Sequence, residues 1–552
     1  MRTGFTLAAI VTLAAVLRFY QLGKNPPSLN LDEVAIGYNA YSILKTGMDE
    51  YGKRLPLVFR SHDDYKPPLY IYLSVPSIAA SGLNPFAVRF PSALAGTLTV
   101  LLTYFLVREL FPRLKLSVFS FQFSVGEIAA LLLAISPWHL QVSRVAFETN
   151  IAVFLTVLGV WTFLKGIRGN GRWWIGTAAS FSLSLYTYQT SRLFIPLFLV
   201  ALAGIYGKTI WLKRRDACIA AFAFLILSLP LSPILFSQAG LMRFKGTSVF
   251  EHPGLVEKET GRRVVDAQRQ DWLGVKFLHN RYFAGFLTVS DGYLKHFQPD
   301  LLFLGTKGMP YNHAPNVGLL YLGELPLILL GLCKMAHLKD RRPFGILLGW
   351  FLLSPVASAL TWDIPSSVRM TVALPTLQIF SAVGVLTALA AVKKMRKGLR
   401  IVTFMLSAVL VAGSVYHYLH QYYVHGPLEF AESWQYGYKE AAEYADLHKD
   451  ENSKVIVSTN LRQPQNFFAF YTKYDPWTYI NIDGGTVSGG FLETKNKFGK
   501  FLFQPINYSE GPSETPVLLV DLYAQTPKSQ RDEALKVIRL PNGEPTVSIM
   551  KR

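Results

Sequence analysis

Residues 67–83 read Pro-Pro-Leu-Tyr-Ile-Tyr-Leu-Ser-Val-Pro-Ser-Ile-Ala-Ala-Ser-Gly-Leu, and whether this stretch crosses a membrane decides on which side every later segment lies. It approaches the length of a span, since about 20 apolar residues cross the hydrocarbon core. Its three prolines, Pro67, Pro68 and Pro76, instead suit an interfacial or re-entrant helix. Eleven other apolar blocks read as spans, at 4–20, 88–107, 126–140, 149–164, 173–188, 193–206, 217–236, 317–333, 344–360, 370–392 and 401–419. Some of these are short enough to need tilt or local thinning of the bilayer.

Charge settles the parity. If 67–83 crosses, Lys165/Arg168/Arg172, Lys208/Lys213/Arg214/Arg215, Lys334/Lys339/Arg341/Arg342 and Lys393/Lys394/Arg396/Lys397 all fall outside. If it lies in the interface, all four clusters and Arg108/Arg113/Lys115 face the cytoplasm, as the positive-inside bias requires. The expected arrangement has a cytoplasmic N-terminus and an extracytoplasmic C-terminus, in the cytoplasmic membrane. Residues 51% hydrophobic and 16% charged over 552 positions agree with a multi-pass chain. The net charge of +19 is absorbed by these orienting clusters, so no nucleic-acid partner is expected. Cys218 and Cys333 imply neither a disulfide framework nor a zinc knuckle. The opening apolar block lacks a small-residue cleavage site before Arg18, Phe19 and Tyr20 and reads as a retained first span.

The expected fold is a mainly α polytopic membrane protein of about 11 spans, followed by a soluble α/β domain. Its domains divide as 1–420, with exterior loops at 21–87 and 237–316, and an extracytoplasmic 421–552. Within the tail a helix is predicted over 438–448, strands over 454–458 and 517–521, and a hairpin turn at Asn542-Gly543.

Chemistry belongs in the exterior segments. Asp32 and Glu33 are adjacent acids just after the first span; they also suit the N-terminus of a helix predicted over 34–44. Lys66 closes the polar cluster Ser61-His62-Asp63-Asp64-Tyr65 at headgroup height, where it can meet a phosphate or merely snorkel. His62, Asp63 and Asp64 have ligand chemistry for a divalent ion but also suit a solvated turn. Short exterior turns hold Arg144 with Glu148, Arg192, and Arg369. An arginine in each turn runs against the charge bias, which points to a shared anionic ligand; Arg144 and Glu148 also fit an i,i+4 ion pair.

Leu31-Asp32-Glu33, Tyr65-Lys66-Pro67-Pro68-Leu69, the run from Phe86 to Gly96, and Ser136-Pro137 with Ser143-Arg144 together resemble the GT-C superfamily. Within it the chain is most similar to the protein O-mannosyltransferase and lipid A aminoarabinose transferase group. The motifs cover about the first third of the chain. The resemblance implies Asp32 as catalytic base and Lys66 as contact to a carrier phosphate. Glu33, Tyr65, Arg144, Glu148, Arg192 and Arg369 are the accompanying substrate-binding candidates, and Glu148 stands where the aminoarabinose transferases have Asp.

The implied activity is inverting transfer of a sugar from a polyprenyl-phosphate carrier to an extracytoplasmic protein, lipid or glycan acceptor. The departing phosphate monoester has a second pKa of about 6 and leaves as a dianion without a proton donor. Cations suffice to stabilise it, so no cofactor is expected, with a divalent metal the less favoured case. Two rival readings are a metal-dependent oligosaccharyltransferase-like enzyme and a lipid or sugar transporter. The Lys-Pro-Pro motif speaks against the first, and the lack of clear repeats or broken mid-membrane helices against the second.

Overall fold

The computed structural model describes residues 2–61, 64–112, 115–118, 121–235, 237, 246–251, 253–305, 309–483, 497–510 and 513–552. In chain order its main helices begin with α1 (Arg2–Phe19), α2 (Leu31–Thr46), α3 (Pro68–Ser81), α4 (Pro85–Leu110), α5 (Val125–Ile135) and α6 (Pro137–Ser143). They continue with α7 (Glu148–Arg168), α8 (Trp173–Leu185), α9 (Ser191–Leu212), α10 (Arg214–Ser228), α11 (Pro253–Gln268) and α12 (Arg281–Lys295). Then follow α13 (Glu324–Ala336), α14 (Arg342–Leu353), α15 (Thr376–Val392), α16 (Lys397–His420), α17 (Tyr438–His448), α18 (Pro464–Tyr471) and α19 (Pro476–Asn481). Two hairpins, β1 (Phe59–Ser61) with β2 (Asp64–Lys66) and β3 (Lys115–Val118) with β4 (Phe121–Ser124), precede the strands of the tail.

The chain folds as two compact units. One comprises Met1–Arg18, Leu94–Ser143 and Glu148–Leu419; the other, Phe19–Ala93, Arg144–Phe147 and His420–Arg552. The second unit thus takes in most of the first exterior loop as well as the tail.

In the first unit, each of the eleven apolar blocks holds helix. Among the described residues seven helices are long and apolar enough to cross a membrane, or eight if the bent pair α5–α6 is one span. The other expected spans fall on the shorter α1, α8 and α13. One start is corrected: helix was expected from Val317 but begins at Glu324. The apolar residues before it form turns instead, and the Leu319 and Leu320 N–H groups donate to the Leu301 and Leu302 carbonyls of the π-helical turn Asp300–Leu304 at 3.4 and 2.8 Å. Helices α13 and α15 meet where Gly331 faces the Phe380 carbonyl and Gly384 the Leu327 carbonyl, too close for any Cβ. Small residues at such contacts let spans approach backbone to backbone.

The 60° bend between α5 and α6 has a definite cause. Pro137 has no N–H to give the carbonyl four residues back, on Leu133. The Trp138 N–H, which would serve Ala134, donates instead to the Leu319 carbonyl at 3.1 Å. Fully buried Arg18 serves both carbonyls: Nη2 donates at 3.3 Å to Leu133 O, which also takes the Ser136 N–H at 3.4 Å, and Nη1 donates to Ala134 O at 3.2 Å. Nη2 also lies 2.8 Å from His139 Nδ1. A basic residue at the end of the first span therefore holds a break in the third, and the expectation of unbroken helices is corrected here.

In the second unit a six-stranded sheet runs β6 (Lys497–Phe498), β7 (Phe501–Phe503), β5 (Lys454–Val457), β8 (Val517–Leu522), β10 (Pro545–Lys551) and β9 (Lys536–Arg539). Strand β5 is parallel to β7 and β8, with Val455 opposite Leu518 and Phe501; the other pairings are antiparallel. The predicted helix 438–448 forms as α17, both predicted strands form, and Asn542-Gly543 turns β9 into β10. Helix α2 packs against α3, α18 and α19. Helix α3 has 14 residues, about 21 Å of rise, less than the ~30 Å hydrocarbon core, so it is too short to cross upright.

Candidate active site

The second unit carries Asp32, Glu33, Tyr65, Lys66 and Arg144. The N-terminus of α2 sets the first two. Asn30 Oδ1 accepts the Glu33 N–H at 3.0 Å while Glu33 Oε2 accepts the Asn30 N–H at 3.1 Å, a reciprocal cap. The cap is therefore Asn30 with Glu33, and Asp32 is left free of that task.

Successive helical residues point about 100° apart. Glu33 points inward: its carboxylate accepts from Arg89 Nε at 2.8 Å and Nη2 at 3.0 Å, and from the Ala146 N–H at 3.0 Å. Arg89 Nη1 donates to the Leu22 and Pro26 carbonyls at 3.2 and 3.0 Å, and Nη2 to the Ser28 carbonyl at 2.6 Å. All five guanidinium donors are used. Both side chains are fully buried, and the chain from Leu22 to Ser28 is wound about the arginine. Glu33, expected among the substrate ligands, is here a structural anchor, because its oxygens are spent on backbone and Arg89. Tyr471 lies against the same turn; burial pushes its phenol up to about 12, so it stays neutral near pH 7.

Asp32 points outward, its side chain 56% exposed. Lys66 Nζ donates to Asp32 Oδ1 at 2.5 Å, while the lysine side chain is only 5% exposed. The sequence places Lys66 by two devices. Hairpin register sets it opposite Phe59, and Pro67-Pro68 ends the strand at once and starts α3, with proline in the first turn where its missing N–H costs nothing. Tyr65 sits half-buried in the same strand opposite Arg60. A nearly buried ammonium thus presents its charge to a carboxylate open to solvent.

Arg144 is 1% exposed. Its Nε donates to Tyr422 Oη at 3.0 Å and Nη2 to the Asn25 carbonyl at 3.0 Å, with the guanidinium about 5 Å from the centres of the Tyr422 and Tyr423 rings. It fastens the short segment whose Ala146 N–H reaches Glu33. Glu148, Arg192 and Arg369 belong to the other unit. Glu148 opens α7, half-buried, where the helix dipole favours an acid. Arg192 Nε donates to the Leu185 carbonyl at 3.3 Å. Arg369 Nη1 closes its own turn onto the Asp363 carbonyl at 2.7 Å and Thr361 Oγ1 at 3.1 Å. His62 and Asp63 lie outside the described residues, and of Asp64 only the backbone is described. Arg89 was quoted only as part of a motif; its signal was a charge inside an otherwise apolar helix.

The fold so described has three parts: a set of apolar helices, a first loop that carries an acid and a Lys-Pro-Pro corner, and a trailing α/β segment. Residues 65–234 match the family model described as dolichyl-phosphate-mannose-protein mannosyltransferase. The fold is similar over 100% of this chain and 98% of the other to ArnT from Cupriavidus metallidurans bound to undecaprenyl phosphate, with a TM-score of 0.55 at 12% identity. The Archaeoglobus fulgidus oligosaccharyltransferase tethered to an acceptor peptide gives 0.50 at 14% identity, covering 84% of this chain and 62% of that one. In sequence, YycA and YkcB of Bacillus subtilis strain 168, provisionally named mannosyltransferases, are 25% and 28% identical over 30% and 28% of this chain. The matches span only 23% and 21% of those relatives. The chain is therefore a multi-span membrane protein whose fold is like that of ArnT, and its residues 65–234 are mannosyltransferase-like.

Proposed function

We propose that the chain is an inverting glycosyltransferase that moves a sugar from a polyprenyl-phosphate carrier to an extracytoplasmic acceptor, with Asp32 as base and Lys66 as phosphate partner. The observation that carries this reading is the Lys66–Asp32 pair, a buried ammonium joined to an exposed carboxylate. A carrier phosphate arriving at Lys66 competes with Asp32 for the ammonium and releases the carboxylate when a donor is present. The acceptor oxygen then attacks the anomeric carbon and its proton passes to Asp32. The bond from that carbon to the phosphate oxygen breaks, and the phosphate keeps the electron pair. Lys66 meets the charge that develops there. Helix α3, directly after Lys66, would guide the lipid tail. The ArnT structure with undecaprenyl phosphate supports a lipid-phosphate donor for this fold.

The test is transfer by the full chain in proteoliposomes. Asp32→Asn is expected to keep donor binding and to lower turnover by about 10²–10⁴-fold. Unchanged turnover removes Asp32 as base. Chelators are expected to leave activity intact, since the leaving group needs no proton or metal; loss restored by Mg²⁺ or Mn²⁺ would favour the metal-dependent alternative.

A further inference from the structure

Helices α9 and α10 are joined at Lys213, pack against the α7–α8 pair, and leave an apolar slot between them. The slot has a volume of about 420 Å³. Its floor is aromatic, from Phe163, Trp174 and Phe181, and on α10 the small residues Ala217, Ala220 and Ala221 leave room at the end by the α9–α10 turn, before Phe224 and Leu225. Along α9 the lining runs from Leu199 to Ile210, twelve residues and so about 16 Å from first to last. That is half the ~30 Å hydrocarbon core, the reach of one leaflet. The end by Ile210 and Ala217 lies at the α9–α10 turn, where Lys208, Arg214 and Arg215 are exposed. Lys213 Nζ is taken by the carbonyls of Gly166, Ile167 and Gly169 at 2.7, 3.1 and 2.6 Å, so it pins the turn to the end of α7. Lys208, Arg214 and Arg215 make no ion pair among the described residues, and Asp216 is the acid beside them. Loops of this composition attract anionic headgroups at roughly 1 kcal/mol for each basic residue.

From the slot's depth and the charge at its mouth we infer that it is a binding site for an anionic diacyl phospholipid. One acyl chain lies between α9 and α10, and the headgroup phosphate lies against Arg214 and Arg215. A single-leaflet chain fits the slot's length, whereas a polyprenyl tail would have to run on beyond it. The site lies outside the proposed catalytic residues and is independent of that assignment.

Native mass spectrometry of the full chain in detergent, with phosphatidylglycerol or phosphatidylcholine of matched chains, tests this. The wild type is expected to retain one phosphatidylglycerol at least tenfold more tightly than phosphatidylcholine. The double variant R214Q/R215Q, altered only at exposed side chains, is expected to lose that preference by about tenfold or more. Ala220→Phe, which fills the slot, is expected to lower retention of both lipids. Equal retention of the two lipids by the wild type, an unchanged preference in R214Q/R215Q, or full retention by Ala220→Phe overturns the proposal. So does a lipid-free dimer that Ala220→Phe disrupts, because a second copy would then occupy the slot.

Discussion

Asp32 and Glu33 differ by one position and one methylene, yet the helix turns them to opposite fates. Glu33 is buried against Arg89, the Asn30 cap and the Ala146 N–H, so it carries the geometry of the loop; Asp32 is open and meets the Lys66 ammonium. Removing one member of a buried pair leaves the other charge unpaired, at a cost of about 3–5 kcal/mol. Arg89→Leu is therefore expected to lower thermal stability in detergent by that amount, with loss of transfer as a consequence of misfolding. Asp32→Asn, at an exposed side chain that still accepts from Lys66, is expected to change stability by less than about 0.5 kcal/mol. If the two variants melt alike, the division between an anchoring acid and a reactive acid fails.

At the scale of elements, the junction of α5 and α6 is held by Arg18 from another helix, and its packing is tight enough to forbid a methyl group. A Cβ on Gly96 would run into Ser143 Oγ and come within 3.0 Å of Arg18 Nε. Gly96→Ala is expected to cost about 1–3 kcal/mol through overpacking. Arg18→Met, which takes the guanidinium away from the Leu133 and Ala134 carbonyls, is expected to cost about 1–3 kcal/mol. Thermal unfolding of the two variants checks both, and a wild-type melting temperature in either shows that the break does not depend on that contact. Local patterns made some elements legible. Tyr438, Ala441, Ala442 and Ala445 repeat at helical spacing and are the buried face of α17. The bend at Pro137 was not legible, because a hydropathy window averages over a proline and because Arg18 and His139 lie 121 positions apart. The run before Glu324 misled for a related reason: its apolar side chains suit a span, but its backbone pairs with Leu301 and Leu302. At the candidate site, motif and charge singled out Asp32 and Lys66 but not that the two side chains pair. The enclosure of Arg144 was not legible either, since Tyr422 and Asn25 approach it only in the folded chain.

For the whole molecule, the decisive quantity is parity. The helices that pass the length test, the bent pair and the shorter α1, α8 and α13 give an odd number of crossings, provided that α3 stays in the interface. For that arrangement the positive-inside bias predicts the basic turns on the cytoplasmic face, and Asp32, Lys66 and the tail on the opposite side of the membrane. The prediction is testable in cells with single cysteines placed in a chain whose exposed Cys218 and Cys333 have been replaced by alanine. Glu544→Cys, at an exposed position in the tail, is expected to react with a membrane-impermeant maleimide in intact cells. Lys339→Cys, exposed in the turn between α13 and α14, is expected to react only after permeabilisation. Labelling of both from outside would mean that one apolar block between them does not cross. Protection of Glu544→Cys would mean that α3 does cross, or that another block fails to, and either result overturns the expected extracytoplasmic tail.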